Sequence, residues 1–591
     1  MNKNTNAHFA NLPGVKIGRS KFDRSFTHKT TFNASELIPV YVDPDILPGD
    51  TVTMKQSEII RMMTPIAPVM DNCYLDFTWW FVPNRIVWND FKKFMGENET
   101  APWTMTQDIQ IPQISFDTTD YNTIDGETYL TKTAELGSLI EKMGIPPQKN
   151  WTYATNPSSS DYRKIQISAL PLRAYCMIWN EFWRDENLQN PVNVSKDSTT
   201  RRTYNTKTAG YISDPDAFIT TNEERGGLPP LKVCKSHDYF TSCLPGMQKG
   251  PSVSIPLSED RQYVRWALDP DAGITTPNAD GKIVRTWNTS GETVTPMYAS
   301  YSTDEDDPWQ IYTSGTQHTM GNLQSNNGAW YVDLSKATGA TITQLRQAFA
   351  IQKFYERDAR GGTRYIENVL SHFGVRNPDY RVQRPEYLGG FRHHINMNQV
   401  VQSTPTIDEG TPLGTTGAYS VTSNKNENVF TKSFTEHGIL MGLICVRTDH
   451  TYQQGINRAW FKKKRLDFYS PEFANLSEMA VLNREIYAQG TTADEEAFGY
   501  QEAWAEMRYM PDMITGEFRS NYDLSLDIWH YGDYYDEKPV LGDKWIKETD
   551  KNIERTLAVQ DHNQFMADFY FGAIYTRPMP LYSIPGLIDH H

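Results

Sequence analysis

One run of side chains, residues 71–82, constrains the fold more than any other part of the sequence. Tyr74, Leu75, Phe77, Trp79, Trp80, Phe81 and Val82 crowd both faces of what reads as a single β-strand. A half-buried strand alternates apolar and polar residues, whereas one that is apolar on both faces must be covered on both, by a second sheet or a neighbouring subunit. Aromatic residues make up 12% of the 591, and 34 Pro and 37 Gly punctuate the whole length. That texture favours strands and turns over a helical bundle.

Further strands are expected at 37–42, closed by a turn at Asp43-Pro44-Asp45, at 51–62 after a turn at 48–50, and in the last third at 438–447, 465–469, 524–529 and 568–575. Helices are expected at 86–95, ended by Gly96, and at 172–183, where Leu172, Tyr175, Cys176, Trp179, Phe182 and Trp183 share one face and read as core. Thr341-Ile342-Thr343-Gln344 has capping-box spacing and opens a helix that stops at Gly361-Gly362; a second, 364–373, stops at Gly374. Strands, then helices with insertions, then strands again must pair across hundreds of residues. That is natural for a mainly β, Greek-key or jelly-roll sandwich that donates long loops.

The formal charge of −15 argues against a surface built throughout to coat nucleic acid. It is unevenly spread. In the first thirty residues Lys3, Lys16, Arg19, Lys21, Arg24 and Lys29 oppose Asp23 alone, so residues 1–34 read as an extended basic arm towards an anionic partner, or as a frayed terminus. Residues 35–249 hold the first strands with helical insertions, and 341–591 the remaining helices and strands. Between them, 250–340 is loop-rich and carries eleven Asp and Glu against five Lys and Arg. Its texture fits a surface insertion with short strands near 262–266, 283–287 and 310–312.

Catalytic motifs fail in turn: the sequence has no phosphate-binding loop, nucleophile elbow, H-E-x-x-H or EF-hand pattern. Cys234, His237 and Cys243 have no second cysteine pair and match no zinc spacing, so neither a metal nor a cofactor is expected. Glu495, Glu496, Glu502 and Glu506 read as one solvated helix face. Five scattered cysteines read as reduced thiols of a cytosolic product. The first ten residues have no apolar signal core, and the longest aliphatic stretch, 438–446, is about half a bilayer span. Lys462-Lys463-Lys464-Arg465 beside Phe468 and Tyr469 reads either as a phosphate-binding cluster with rings for unpaired bases or as a solvated basic loop.

Several segments taken together resemble a known family. They include Lys21-Phe22-Asp23-Arg24-Ser25, Phe81-Val82-Pro83-Asn84-Arg85, Ile178-Trp179-Asn180-Glu181-Phe182, Arg384-Pro385-Glu386-Tyr387-Leu388-Gly389-Gly390 and Pro585-Gly586-Leu587-Ile588-Asp589. They are similar to the major capsid proteins of gokushoviruses, small tailless single-stranded DNA bacteriophages of the Microviridae, across nearly the whole chain except 250–340. The resemblance implies an eight-stranded viral jelly roll and self-assembly into a T=1 icosahedral shell around circular single-stranded DNA in the cytoplasm of a bacterial host. The partners it implies are other copies of the chain, a small basic DNA-packaging protein, an internal scaffolding protein, a DNA pilot protein and a host surface receptor met by the variable insertion.

No enzymatic role is expected. Charge, not the resemblance, nominates Lys16, Arg19, Lys21, Arg24 and the 462–465 run for nucleic acid. Exposed rings in the insertion, Trp287, Tyr301 and Trp309, are candidates for host attachment. They would equally serve a jelly-roll lectin, the alternative reading; a glycoside hydrolase ranks last because no carboxylate pair stands out.

Overall fold

The computed structural model describes residues 18–97, 109–116, 137–146, 165–198, 230–251, 253, 342–406, 411–474 and 476–582, with short strands at 121–124, 127–130, 201–202, 297–300, 310–313 and 316–319. Contacts divide the chain into two compact units, Gly250–Tyr355 and the remainder. The larger unit is built on β1 (Ser20–Asp23), β2 (Phe26–Phe32), β3 (Ile38–Ile46), β4 (Thr51–Met62), β5 (Cys73–Pro83), β6 (Glu386–His394), β7 (Thr422–Ser433), β8 (Gly438–Thr448) and β9 (Phe565–Arg577). Helices α1 (Leu170–Ile178), α2 (Ile342–Gly361) and α3 (Tyr365–Phe373) follow where the apolar spacing placed them.

The strands form two antiparallel sheets. One runs β3-β8-β5-β6; in the other β7, β4 and β9 are neighbours, and β1 and β2 follow one another along the free side of β9. Strict alternation on β9 turns Phe565, Ala567, Phe569, Phe571, Ala573 and Tyr575 inward and Met566 and Tyr570 outward. The inward set meets Leu75, Phe77, Trp79 and Phe81 of β5 in one core. Phe77 lies 6.0 Å from Phe569 and Trp79 5.7 Å from Phe571, centroid to centroid. Each such buried ring contributes about 1.5–3 kcal/mol relative to exposure.

The opposite face of β5, Trp80 and Val82, together with Ile439, Met441, Leu443 and Cys445 of β8, packs on Leu172, Tyr175, Cys176 and Trp179. The second cover of the doubly apolar strand is therefore the chain's own helix α1, neither a sheet nor a neighbouring subunit. Tyr175 fixes that helix by donating its hydroxyl to the Leu37 carbonyl at 2.7 Å and accepting from the Leu231 amide at 3.0 Å. Beyond Ile178 the helix widens into a π-turn through Trp183.

Several expected elements differ. The turn at Asp43-Pro44-Asp45 lies inside β3, where a register shift against Gly438 and Leu440 absorbs it; on this edge strand a proline costs no ladder bond that matters. The 86–95 helix is two short turns, Asn84–Val87 and Phe91–Phe94, parted by Trp88, whose extended backbone buries the indole and lets it donate to Ser198 Oγ at 2.8 Å. Residues 524–529 hold only a 3-10 turn, Asp527–Trp529, with Leu524 exposed. The acidic run is a 3-10 turn (Thr492–Glu495), a strand (Ala497–Gln501) and another turn (Ala505–Met507), not a helix. Its charges have cationic partners: Glu496 with Lys538 at 3.0 Å and Glu502 with Arg508 at 2.8 Å.

In the smaller unit Met297–Ser300, Gln310–Thr313 and Thr316–Thr319 form a three-stranded antiparallel sheet. The strands expected near 262–266 and 283–287 lie outside the described residues.

Candidate functional site

The basic arm is a strand before it is anything else. From Ser20 to Phe32 it pairs along β9, with the Arg24 amide bonding the Ala573 carbonyl at 2.9 Å where β1 gives way to β2. Arg24 engages the carboxylate of Asp43 and lies 4.7 Å over the Tyr575 ring, with Arg577 4.8 Å from the same ring. Arg577 in turn bonds Asp50 at 3.0 Å. Lys29 pairs with Asp568 at 3.1 Å, while Arg19 and Lys21 are exposed. Lys16 lies outside the described residues. Of the arm cations nominated for nucleic acid, Arg24 is thus held by the fold, and Arg19 and Lys21 face solvent.

The second basic site is a folded loop, not the strand expected at 465–469. Asn457 accepts from the Ala459 amide at 2.9 Å and opens a 3-10 turn, Arg458–Phe461. A second turn, Arg465–Asp467, follows the lysines. Between them the Asp467 carboxylate accepts the amides of Lys463 and Lys464 at 2.8 and 2.7 Å, which hold its carboxyl below the ordinary range. The one acid in the run is therefore turned to the backbone. Lys463, Lys464 and Arg465 are exposed, and Lys462 lies 5.6 Å over the Phe468 ring. Trp460, 84% exposed, and Phe468, 60% exposed, flank the cations. Arg458 points inward, to Ala480 O at 2.7 Å and Glu485 at 3.3 Å. Exposed cations and exposed aromatic rings thus share one loop.

Sequence reasoning missed a buried charge network under the β8–β9 connection. His450 bonds Asp533 through Nδ1 and Glu548 through Nε2, each at 3.0 Å. Lys235 reaches Asp533 at 3.5 Å and Asn552 donates to it at 2.7 Å. Burial opposes the imidazolium, but the two carboxylates outweigh it and push His450 up to about 10. Asp533 is likewise penalised by burial, yet Lys235 and His450 hold it far below the usual carboxylate range. Residues so far apart in sequence leave no local pattern that could have revealed them.

Trp287, Tyr301 and Trp309 lie outside the described residues. Among the described residues no group of three or more His, Cys, Asp and Glu is placed to hold a metal ion. Cys243 is buried with its thiol on the Tyr239 carbonyl, and burial pushes the Cys234 thiol up to about 11. His393 is structural, bonded at 2.6 Å to Glu58. Among the described residues no helix is long and apolar enough to cross a membrane.

The larger unit is thus a two-sheet body whose connections carry exposed cations and exposed apolar side chains. The sequence pattern of a family described as capsid protein (F protein) matches residues 10–587. Three relatives are each called capsid protein VP1. That of Chlamydia phage 1 is 36% identical, that of Bdellovibrio phage phiMH2K 37% and that of Spiroplasma virus 4 36%, each alignment covering 98% of this chain and 97% of the relative. The chain belongs to this phage capsid protein family, and its role is that of a structural major capsid protein.

Proposed function

We propose that copies of this chain close into a T=1 icosahedral shell around circular single-stranded DNA, assembled in the cytoplasm of a bacterial host. The observation that carries the reading is the strand order. With β1 and β2 taken as one interrupted strand, the sheets run β2-β9-β4-β7 and β3-β8-β5-β6, an order that supports an eight-stranded jelly roll. Repeated apolar contacts between identical subunits, closed by symmetry, would drive assembly. Electron microscopy of particles from cells making the protein with its partner proteins should show closed isometric shells of T=1 mass. A stable monomer that never closes, even in infected cells, would sink the reading.

The exposed loop Lys462–Arg465 with Trp460 and Phe468, and Arg19 and Lys21 of the arm, are the proposed contacts to the genome. At −15 per subunit the shell does not neutralise DNA by itself. A separate small basic packaging protein therefore supplies the missing cations, with internal scaffolding and pilot proteins as further partners. Particles made without the basic protein should lack a full genome. The unit Gly250–Tyr355 is the proposed protrusion that meets a host surface receptor, in keeping with its own compact contacts and its acidic, loop-rich composition.

A further inference from the structure

We propose that residues 507–524, in the connection between β8 and β9, form a contact surface between two copies of this chain. The proposal rests on the capsid reading and adds where on the subunit one contact lies. The segment is held firmly to the body. The Tyr452 amide bonds the Asp512 carbonyl at 3.0 Å, and the Ile514 amide returns to the Tyr452 carbonyl at 3.1 Å. The Ser520 amide reaches Gln453 Oε1 at 2.8 Å, and the Leu526 amide reaches the Glu517 carbonyl at 2.9 Å. Ile514 packs over Gly532, where a Cβ would fall 2.1 Å from its Cδ1, so a side chain there would make Ile514 shift. Gln453 itself donates to the Asp533 carbonyl at 3.0 Å, above the buried charge network.

On this segment Met507, Tyr509, Met510, Met513, Tyr522 and Leu524 are each between 52% and 89% exposed. A loop so tied cannot fold its apolar side chains away. Six large exposed apolar side chains on one tethered segment differ from the singly scattered ones of an ordinary surface, and grouped exposed apolar side chains mark interaction sites. Methionine and tyrosine are the residues that interface cores enrich. Charge selects the occupant. Arg508 and Arg519 are matched by Asp512, Glu517 and Asp523, so the surface holds no cation excess for nucleic acid or for strongly acidic protein. A second copy, whose surfaces are present at the same concentration and in fixed symmetry, fits it.

The test uses the full chain in cells where the wild type forms particles. Met510→Glu with Leu524→Glu should keep the wild-type near-ultraviolet circular dichroism and melting profile while lowering particle yield at least tenfold, leaving free subunits or small oligomers. Met507→Leu, Met510→Leu and Met513→Leu together should keep particle yield. A photo-crosslinker on Leu524→Cys, in particles mixed from isotopically light and heavy subunits, should join peptides of different copies, and this readout stands even if the charged variant misfolds. Wild-type particle yield from the folded charged variant, or crosslinks only to nucleic acid or another protein, would overturn the proposal. Failure of the wild type to form any particle would overturn the capsid-shell reading instead.

Discussion

The hydroxyls of Tyr41 and Tyr575 meet at 2.7 Å in a buried site, joining residues 534 positions apart. Tyr575 donates its hydroxyl to the Asp43 carboxylate at 2.7 Å, so Tyr41 donates in the pair. Asp43 also holds Arg24, and this cluster fastens the arm to the end of β9. Tyr575→Phe removes both hydroxyl bonds and leaves the Asp43 carboxylate one partner short. A loss of about 1.5–3 kcal/mol is expected in urea unfolding, together with faster proteolysis within residues 20–33. Unchanged unfolding would show that the cluster holds nothing in place.

The buried network sets a pH dependence with a definite sign. His450 is raised to about 10 from an ordinary value near 6.5. Its contribution is complete below about 6.5 and drains away as pH climbs towards 10. Asp533 is depressed, so its contribution holds above its ordinary ~4 and is lost as acid takes it down through its low folded value. Unfolding midpoints measured from pH 4 to 10 should therefore decline on the alkaline side. His450→Gln should flatten that decline and cost about 3–5 kcal/mol near pH 6, because two buried carboxylates lose their shared cation. An alkaline slope unaltered by the substitution would count against this assignment.

On the basic loop, charge and rings are separable. Lys463→Glu, Lys464→Glu and Arg465→Glu together should weaken single-stranded oligonucleotide binding and reduce the salt slope by about 2, at ~0.7 per phosphate contact. Trp460→Ala should cost about 1–3 kcal/mol at every salt concentration while leaving the slope alone. Fluorescence anisotropy across a salt series distinguishes the two. If neither substitution changes binding, the loop is a solvated turn.

Lys249 bonds Thr363 Oγ1 at 2.9 Å, so the larger unit leaves and rejoins the chain path within a short span around the Gly250–Tyr355 unit. Replacing residues 251–354 with a short Gly/Ser linker should leave the remainder folded, with a thermal midpoint near wild type, and abolish attachment to host cells. Normal attachment without the unit would place the receptor contact elsewhere.

The strands legible in the sequence, β3, β4, β5, β8 and β9, are those with at least one apolar face buried by their own chain. The segments misread as strands, 465–469 and 524–529, carry Leu466, Phe468 and Leu524, which are exposed. Hydrophobic periodicity reports that a side chain should be covered without saying by what, so an outward-facing surface imitates a strand. In the acidic run, propensity suggested a helix, but Phe498 is buried from a short strand paired with Met479–Leu482. The basic loop was visible as a charge run, whereas its Asp467 clamp and the exposure of Trp460 needed the fold. The His450 network was invisible because its members converge only when the β8–β9 connection closes over residue 235.

Strand β9 begins at Phe565 and lies between β2 and β4, two of the earliest strands to be synthesised. During translation those early strands emerge long before the strand that joins them exists. Until β9 has been made, β2 and β4 have no strand between them, so this sheet can close only late in synthesis, whatever the earlier strands have done by then.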